Sequence, residues 1–253
     1  MSQGRVYTCS PFKNRFDDMT ATKPTVTGQD LIAPNRSAVE QARFNMIEQQ
    51  IRPWDVLDTG VLDLLASVHR EDYVPIRYRG LAFVDTTVPL GFGEFMWPPR
   101  VEGRCLQALE LRPADRVLEV GSGSGYLTAL IAHQAADVTS YEIHPELARR
   151  ARNAMINNGI GNADVREACG LAALAAPGAR FDVVVLTGSV PLLPDSWFEA
   201  LEEGGRLFAV VGGAPAMHAR LYRKTNGVVT AETLFETELA PLQNAPRASG
   251  FVF

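Results

Sequence analysis

The chain has 253 residues, of which 46% are hydrophobic and 21% charged, and its formal net charge is −5. These values favour a single globular α/β domain with an appendage, and they disfavour nucleic acid as a partner. The sequence has no apolar run as long as a membrane span, and its cysteines, Cys9, Cys105 and Cys169, fit neither a disulfide framework nor a zinc spacing. We therefore expect a cytoplasmic protein with no membrane partner.

The first 36 residues are rich in Thr, Pro, Asn and Lys and show neither a helical nor a strand period. They predict a flexible extension, and a translation start at Met19 is an alternative explanation for them. A folded domain is expected over residues 37–253. Its first helix is predicted to begin with Ser37 as N-cap and Glu40 as capping-box partner, and to stop at Pro53.

Residues 37–99 are expected to form a helical and loop cover on the substrate side of a core that spans residues 100–253. An amphipathic helix is predicted over Asp58–Val68. The segment Tyr73–Trp97 contains prolines and glycines that indicate irregular loops and short strands. Irregular segments of this length in a compact domain are typical of binding or specificity loops.

The stretch Arg116–Tyr126, RVLEVGSGSGY, is the centre of the predicted core. It predicts a buried strand, Arg116–Val120, then a glycine triplet at Gly121, Gly123 and Gly125, and then a helix, Tyr126–Gln134. Glycines at these positions allow a sharp turn and close approach of the backbone to a ligand. The pattern indicates a nucleotide-binding loop.

The surroundings of this loop favour one class of nucleotide. The sixth position of a dinucleotide fingerprint is a small residue, whereas here it is Tyr126, so an NAD-dependent dehydrogenase ranks low. Glu119 precedes the loop, and Glu142 ends the next strand 142 − 121 = 21 positions after Gly121. A carboxylate there suits a ribose diol, and acidic neighbours suit a cationic tail, which together favour S-adenosylmethionine. A glycine-rich turn without ligand, with Glu119 held by backbone N–H groups, is the alternative.

The rest of the chain alternates between strands and helices. The pattern predicts a helix over Arg100–Leu111 before the central strand, and after it the strand Asp137–Glu142, helix Pro145–Asn158, strands Ala163–Glu167 and Phe181–Leu186, helix Asp195–Leu201, strand Arg206–Val211, and a hairpin of Ala219–Lys224 and Ala231–Leu239 around Asn226-Gly227. This order implies a doubly wound, mostly parallel sheet with an antiparallel edge. Side chains at the carboxyl ends of its strands are expected to share a pocket: Glu119, Gly121, Glu142, Cys169, Thr187 and Gly188.

From about Asp58 to Leu242 the chain resembles the protein-L-isoaspartate O-methyltransferases. The resemblance rests on six blocks in the same order: AFVDTTVPLGFG at Ala82–Gly93, VLEVGSGSGY at Val117–Tyr126, YEIHPELARRAR at Tyr141–Arg152, FDVVVLTGSVP at Phe181–Pro191, LEEGGRLFAVVG at Leu201–Gly212 and ELAPL at Glu238–Leu242. It implies a Rossmann-like class I methyltransferase, usually a monomer, that methylates isoaspartyl carboxylates of damaged proteins from S-adenosylmethionine. The candidate cofactor-binding residues are Glu119, Gly121, Ser122, Gly123, Gly125, Tyr126, Glu142, Ile143, Cys169, Gly170 and Thr187.

The chain departs from the family pattern at two places. Trp97 stands where the family typically has a serine close to the substrate carboxylate, and Cys169-Gly170 replaces an Asp-Gly whose acid contacts the adenine region. We therefore assign no catalytic residue and keep Asp85 and Trp97 as substrate-side candidates. Asp85 could accept a peptide N–H or cap its own loop. Trp97 could stack on a substrate or be a core aromatic.

Methyl transfer to a carboxylate needs no general base, because a carboxyl with a pKa of about 4 is ionised at neutral pH. The substitution at Trp97 is therefore expected to lower the rate or shift specificity without making transfer impossible. Two alternatives stay open: a paralogue that methylates a different carboxylate, and a non-catalytic S-adenosylmethionine-binding module. The four histidines share no spacing, so no metal site is predicted.

Overall fold

The computed structural model describes residues 36–246. The predicted flexible extension lies outside the described residues, apart from Arg36, which begins the first helix one residue before the predicted N-cap. The helices are α1 (Arg36–Met46), α2 (Thr59–Ser67), α3 (Pro99–Leu109), α4 (Tyr126–Ala132), α5 (Pro145–Asn157), α6 (Gly170–Leu174) and α7 (Asp195–Glu199). Short helical turns cover Ile47–Ile51, Arg52–Trp54, Arg70–Asp72 and Ile76–Leu81.

Nine strands form two sheets in the described part of the chain. The strands are β1 (Val88–Gly91), β2 (Glu94–Met96), β3 (Arg116–Val120), β4 (Asp137–Glu142), β5 (Ala163–Glu167), β6 (Phe181–Val190), β7 (Leu201–Gly213), β8 (Ala216–Thr225) and β9 (Val228–Glu236). β1 and β2 make an antiparallel hairpin, and the other seven form one sheet in the order β5-β4-β3-β6-β7-β8-β9. The first five strands in this order pair in parallel, and β8 and β9 add an antiparallel edge. The predicted fold class is confirmed.

Both faces of the sheet centre are buried, as expected for parallel strands covered by helices. Along β3, Val117 belongs to one hydrophobic cluster, whereas Leu118 and Val120 belong to the cluster on the other face. Along β6, Val183 and Val184 alternate in the same way. Because β3 and β6 are neighbours whose connections run to opposite sides, the carboxyl ends of these two strands form the switch point where ligands bind in doubly wound sheets.

The C-terminal part of the core differs from the predicted bounds. Leu201 belongs to β7, where it pairs with Phe181, and not to the preceding helix. The last strand begins at Val228, three residues before its predicted start, because Asn226 and Gly227 both adopt positive φ and close a two-residue turn directly after Thr225. It ends at Glu236, so the segment from Thr237 leaves the sheet. That segment returns beside β6, where Leu242 N–H donates to Ser189 O at 2.9 Å.

The predicted cover, residues 37–99, divides into two parts. The helices α1 and α2 contribute Met46 and Leu65 to the buried cluster that also contains α3 and α4, so they are part of the main core. Asp58 caps α2 by accepting from Val61 N–H at 2.9 Å. The β1–β2 hairpin and the residues next to it are the part that lines the site.

Candidate active site

A cavity of about 540 Å³ opens above the carboxyl ends of β3, β4 and β6. This volume lies in the range of roughly 300–1,000 Å³ that is common for small-ligand sites. Four glutamates line the cavity, Glu94, Glu102, Glu142 and Glu238, and the lining contains no lysine or arginine. The cavity therefore favours a cationic or neutral ligand over an anionic one.

The first glycine of the loop is required by contact with β6. A Cβ on Gly121, which has φ +101°, would lie 2.1 Å from the hydroxyl oxygen of Thr187. Thr187 Oγ1 lies 2.8 Å from the carbonyl oxygen of Val120 and 2.7 Å from that of Gly121, so its hydroxyl ties the end of β6 to the loop after β3. The pairing of β6 with β7 is interrupted between Val185 and Ser189, which leaves Thr187 and Gly188 facing the cavity.

Glu142 lies at the end of β4, on the opposite side of the loop from Thr187. Its carboxylate accepts from Gly123 N–H at 2.9 Å and from His144 N–H at 3.0 Å, one bond to each oxygen. Its exposed fraction is 4%, yet it lines the cavity. Each carboxylate oxygen has a second lone pair. Glu142 can therefore accept two further hydrogen bonds from a ribose diol.

The N–H groups of the glycine loop are engaged by acceptors of the protein. Gly121 N–H donates to Tyr141 O at 2.7 Å, and Ser122 N–H donates to the same oxygen at 3.2 Å. With Gly123 N–H bonded to Glu142, these donors do not form an anion cradle. A pyrophosphate would also meet the Glu142 carboxylate, so the geometry disfavours a dinucleotide and a dehydrogenase.

The end of the cavity beside β4 and β5 is formed by the residues that follow these two strands. Ile143, Cys169 and Gly170 line it, together with Ser122 of the loop. A Cβ on Gly170 would lie 2.9 Å from the Cβ of Tyr141 and from Val120 Cγ1, so the glycine allows close packing of these elements. Cys169 Sγ lies 3.7 Å from Asn244 Nδ2. Recognition of a base here would rest on shape and backbone groups.

Three of the candidate cofactor-binding residues do not line the cavity. Their positions indicate a structural role and not direct contact with a ligand. Glu119 is fully buried and accepts from the hydroxyls of Thr128 and Ser140. Burial raises the pKa of the Glu119 carboxyl to about 7, against the lowering effect of these hydroxyls. We correct its role from ligand contact to support of the loop from below.

The other two are Gly125 and Tyr126, at the start of α4. A Cβ on Gly125 would lie 3.2 Å from Ala151 Cα, so this glycine allows α4 to pack closely against α5. Tyr126 is fully buried, and its ring lies 5.3 Å from that of Tyr73. Both positions serve packing between helices.

Trp97 is both buried and part of the cavity wall. Its exposed fraction is 6%, and its ring lies 6.0 Å from that of Phe208. Its indole N–H donates to Thr187 O at 2.7 Å. This bond holds the ring against the wall at the end of β6, and the cavity stays open beside it.

Asp85 is not among the residues that line the cavity, so its contact with a substrate stays a prediction. Its carboxylate forms an ion pair with Arg100, whose guanidinium lies 4.2 Å from the ring centroid of Trp54. This ion pair ties the matching block around Asp85 to the start of α3.

Sequence reasoning missed Glu102 and Arg70. Glu102 is 2% exposed and lines the cavity, and its Oε2 lies 3.2 Å from Nε of the fully buried Arg70. A signal was present, because Glu102 lies three residues before Cys105 and four before Leu106, on the apolar face of α3. An acid on such a face indicates a buried ionisable group that needs a polar partner.

Four side chains from three distant parts of the chain meet at the rim of the cavity. His144 Nε2 lies 3.3 Å from Glu94 Oε1 and 2.8 Å from Gln243 Nε2. Phe92 of the hairpin stacks on the His144 ring with centroids 4.9 Å apart. The hairpin, the residues after β4 and the C-terminal segment thus meet above the cavity.

Within residues 36–246, no helix is long and apolar enough to cross a membrane. The same residues contain no group of three or more His, Cys, Asp or Glu side chains arranged to hold a metal ion.

The chain is similar to known proteins over most of its length. The family model for protein-L-isoaspartate(D-aspartate) O-methyltransferase matches residues 41–246. A protein-L-isoaspartate O-methyltransferase of Koribacter versatilis (strain Ellin345) is 35% identical over 210 residues, which are 83% of this chain and 94% of the relative. Protein-L-isoaspartate O-methyltransferase 1 of Rhodopseudomonas palustris (strain HaA2) is 36% identical over 213 residues, 83% of this chain and 86% of the relative.

A solved structure shows the same fold. It is a Plasmodium falciparum chain named for the same enzyme and crystallised with S-adenosyl-L-homocysteine, and it superposes with a TM-score of 0.67 at 21% identity, covering 81% of this chain and 97% of that chain. The acidic cavity, the unused lone pairs of Glu142 and the tight loop fit S-adenosylmethionine as the cofactor. The chain belongs to the protein-L-isoaspartate(D-aspartate) O-methyltransferase family of S-adenosylmethionine-dependent enzymes.

Proposed function

We propose that this protein transfers the methyl group of S-adenosylmethionine to the isoaspartyl carboxylates of damaged proteins. The observation that carries the proposal is the acidic cavity, in which Glu142 accepts one bond from Gly123 of the loop and one from His144 and keeps a second lone pair on each oxygen for a ligand. S-adenosylmethionine supplies a methyl group on a cationic sulfonium sulfur. The acceptor comes from the named activity of the relatives, which match more than four fifths of the chain.

The residues of the chain would bind, orient and desolvate the reactants. Glu142 would hold the ribose, and the contact between Gly121 and Thr187 sets the shape of the loop beside the sulfur. Strands β4 and β6 lie on either side of β3, so Glu142 and Thr187 are two strand spacings apart, about 10 Å. The adenosine would therefore lie toward Glu142 and the reacting end toward Trp97.

Alignment accounts for most of the catalysis in this proposal. An isoaspartyl carboxyl is ionised at neutral pH, so no side chain has to remove a proton from the acceptor. Holding two reactants in line can supply on the order of 7–11 kcal/mol of the barrier. Trp97 is held against the wall of this end of the cavity and does not plug it, which weighs against a non-catalytic binding module.

The test is methylation of a synthetic peptide that contains one isoaspartyl residue, with the same sequence carrying normal aspartate as control. Labelled S-adenosylmethionine should give alkali-labile label in the isoaspartyl peptide and background label in the control. If S-adenosylhomocysteine binds but neither peptide is labelled, the acceptor is wrong while the cofactor assignment stands. If both are labelled equally, the protein methylates carboxylates without selecting isoaspartate.

We also propose a reducing, cytoplasmic location and a monomeric state. Cys105 and Cys169 are both free thiols in the described part of the chain, which supports the first proposal. Size-exclusion chromatography with light scattering tests the second, since a mass near 27.6 kDa is expected for a monomer.

A further inference from the structure

Two of the four cavity glutamates are buried, and only one of them has a role so far. Glu142 is assigned to the ribose. Glu102, in the first turn of α3, is 2% exposed and lines the cavity together with Trp97. A buried acid beside Trp97 is unexpected for an enzyme whose acceptor is itself a carboxylate, because two negative charges would repel each other.

The position of Glu102 is fixed by Arg70 and Trp97. The Arg70 guanidinium donates to Trp97 O and contacts both oxygens of Glu102, with Nε–Oε2 at 3.2 Å and Nη2–Oε1 at 3.4 Å. Trp97 in turn bonds to Thr187 O at the end of β6. Glu102, Trp97 and Thr187 therefore line the same end of the cavity, where the methyl group is transferred in the proposed function.

The contacts between Arg70 and Glu102 are long for an ionised pair. Charge-assisted N–H···O⁻ bonds are typically about 2.7–2.9 Å, and Arg70 makes its shortest contact with the Trp97 carbonyl instead. Arg70 also directs Nη1 at Met96 Sδ, 3.6 Å away. The guanidinium thus divides its donors among the Trp97 carbonyl, Met96 Sδ and Glu102.

We propose that Glu102 is present as the neutral acid and donates its O–H to the acceptor carboxylate. In this state Arg70 keeps its positive charge directly behind Glu102, so this end of the cavity presents a hydrogen-bond donor backed by a cation. When Glu102 ionises, the donor is lost and its charge repels the acceptor. The inference rests on the proposed function and adds a substrate-positioning residue to it.

The groups that face Glu102 support this state. Burial raises the pKa of the Glu102 carboxyl to about 8, Arg70 opposes the rise, and Asp85 adds to it. Tyr126 on α4 and Cys105 on α3 also face it, and burial raises the pKa of both groups, so both are neutral in the working range of pH. Glu119 reaches Cys105 from β3 and is the other buried carboxyl in this region.

Glu102→Gln tests the inference, because glutamine keeps the shape, a donor and an acceptor for Arg70, and cannot ionise. The activity kcat/KM on the isoaspartyl peptide would be measured from about pH 6 to about pH 10, by release of S-adenosylhomocysteine because the methyl ester product is labile in alkali. For the wild-type protein we expect a tenfold fall in kcat/KM per pH unit above about pH 8. E102Q, whatever its absolute rate, should show no such fall over this range. The matched control Glu119→Gln, whatever its effect on rate, should keep the alkaline fall.

A second readout does not depend on turnover. The infrared spectrum of the S-adenosylhomocysteine complex at pH 7 should contain a protonated-carboxyl band that is lost in E102Q. The inference is overturned if the wild-type protein and E102Q have the same pH profile, or if no band is lost. If the wild-type protein is inactive on the isoaspartyl peptide at every pH while it binds S-adenosylhomocysteine, the proposed function is wrong. The role of Glu102 toward the acceptor carboxylate is then wrong as well.

Discussion

Removal of the Glu142 carboxylate should weaken cofactor binding far more than removal of a carboxylate nearby. The carboxylate joins three parts of the site: Gly123 of the loop, His144 at the start of α5, and the ligand side of the cavity. Glu142→Ala leaves both N–H donors unpaired and removes the two acceptors that face the ribose.

The magnitude follows from the bonds lost. A hydrogen bond to a charged group contributes about 1.5–3 kcal/mol. Two such bonds to the diol give a loss of about 3 kcal/mol or more, which weakens binding on the order of 100-fold. Glu142→Gln keeps one acceptor oxygen but points an NH₂ group at a backbone donor, so its loss should be on the order of tenfold.

The assay is calorimetric titration with S-adenosylhomocysteine, accompanied by thermal unfolding to show that each variant is folded. Glu146→Ala is the matched control, because Glu146 lies four residues further on, pairs with Arg149 and Arg150 on the exposed face of α5, and does not line the cavity. Its affinity should stay within about twofold of wild type. A folded E142A that binds as tightly as E146A would refute the assignment of Glu142 to the ribose.

Three further predictions concern stability. Gly121→Ala places a methyl group against the Thr187 hydroxyl at a position with positive φ, so the free energy of unfolding should fall by several kcal/mol in thermal unfolding. The control Gly161→Ala, whose new methyl group would have no atom within 4 Å, should cost about 1 kcal/mol or less. Because the pKa of Glu119 is raised to about 7, the wild-type protein loses stability as pH rises from about 4.5 to about 7. In urea unfolding, Glu119→Gln should therefore be more stable than wild type by about 3 kcal/mol at pH 8 and by much less at pH 5. An equal difference at both pH values would contradict this prediction. Asp115→Ala leaves the guanidinium of Arg206 buried without its carboxylate partner and should cost about 3–5 kcal/mol, and a change below 1 kcal/mol would show that the pair is not coupled.

The parallel part of the sheet could be predicted because its strands carry a strong local signal. Strands β3, β4 and β5 have the predicted bounds, since each is a short run that ends at an acid or directly before a glycine. In β3 the residues from Val117 to Val120 are all buried, whereas in β4 every second residue is buried. The bounds of the strands toward the antiparallel edge of the sheet were predicted less well. The interruption of β6 and the start of β9 depend on pairing with other strands and on the turn at Asn226, which the apolar pattern does not record.

In the candidate site too, some residues could be predicted from the sequence and others could not. Residues at strand ends, such as Glu142 and Thr187, could be placed because the carboxyl ends of parallel strands meet at one edge. Glu119 was misplaced, because side chains alternate along β3 and its own points into the core, away from the cavity. Glu102 was missed, because its partner Arg70 lies 32 residues away and only the packed chain brings them together.

The most direct test of the central claim is a crystal structure of the protein with S-adenosylhomocysteine. We expect both ribose hydroxyls within hydrogen-bond distance of Glu142 and the sulfur at the end of the cavity that Trp97 and Glu102 line. A ligand bound elsewhere, or a cavity that protein side chains fill in the presence of saturating ligand, would contradict the account.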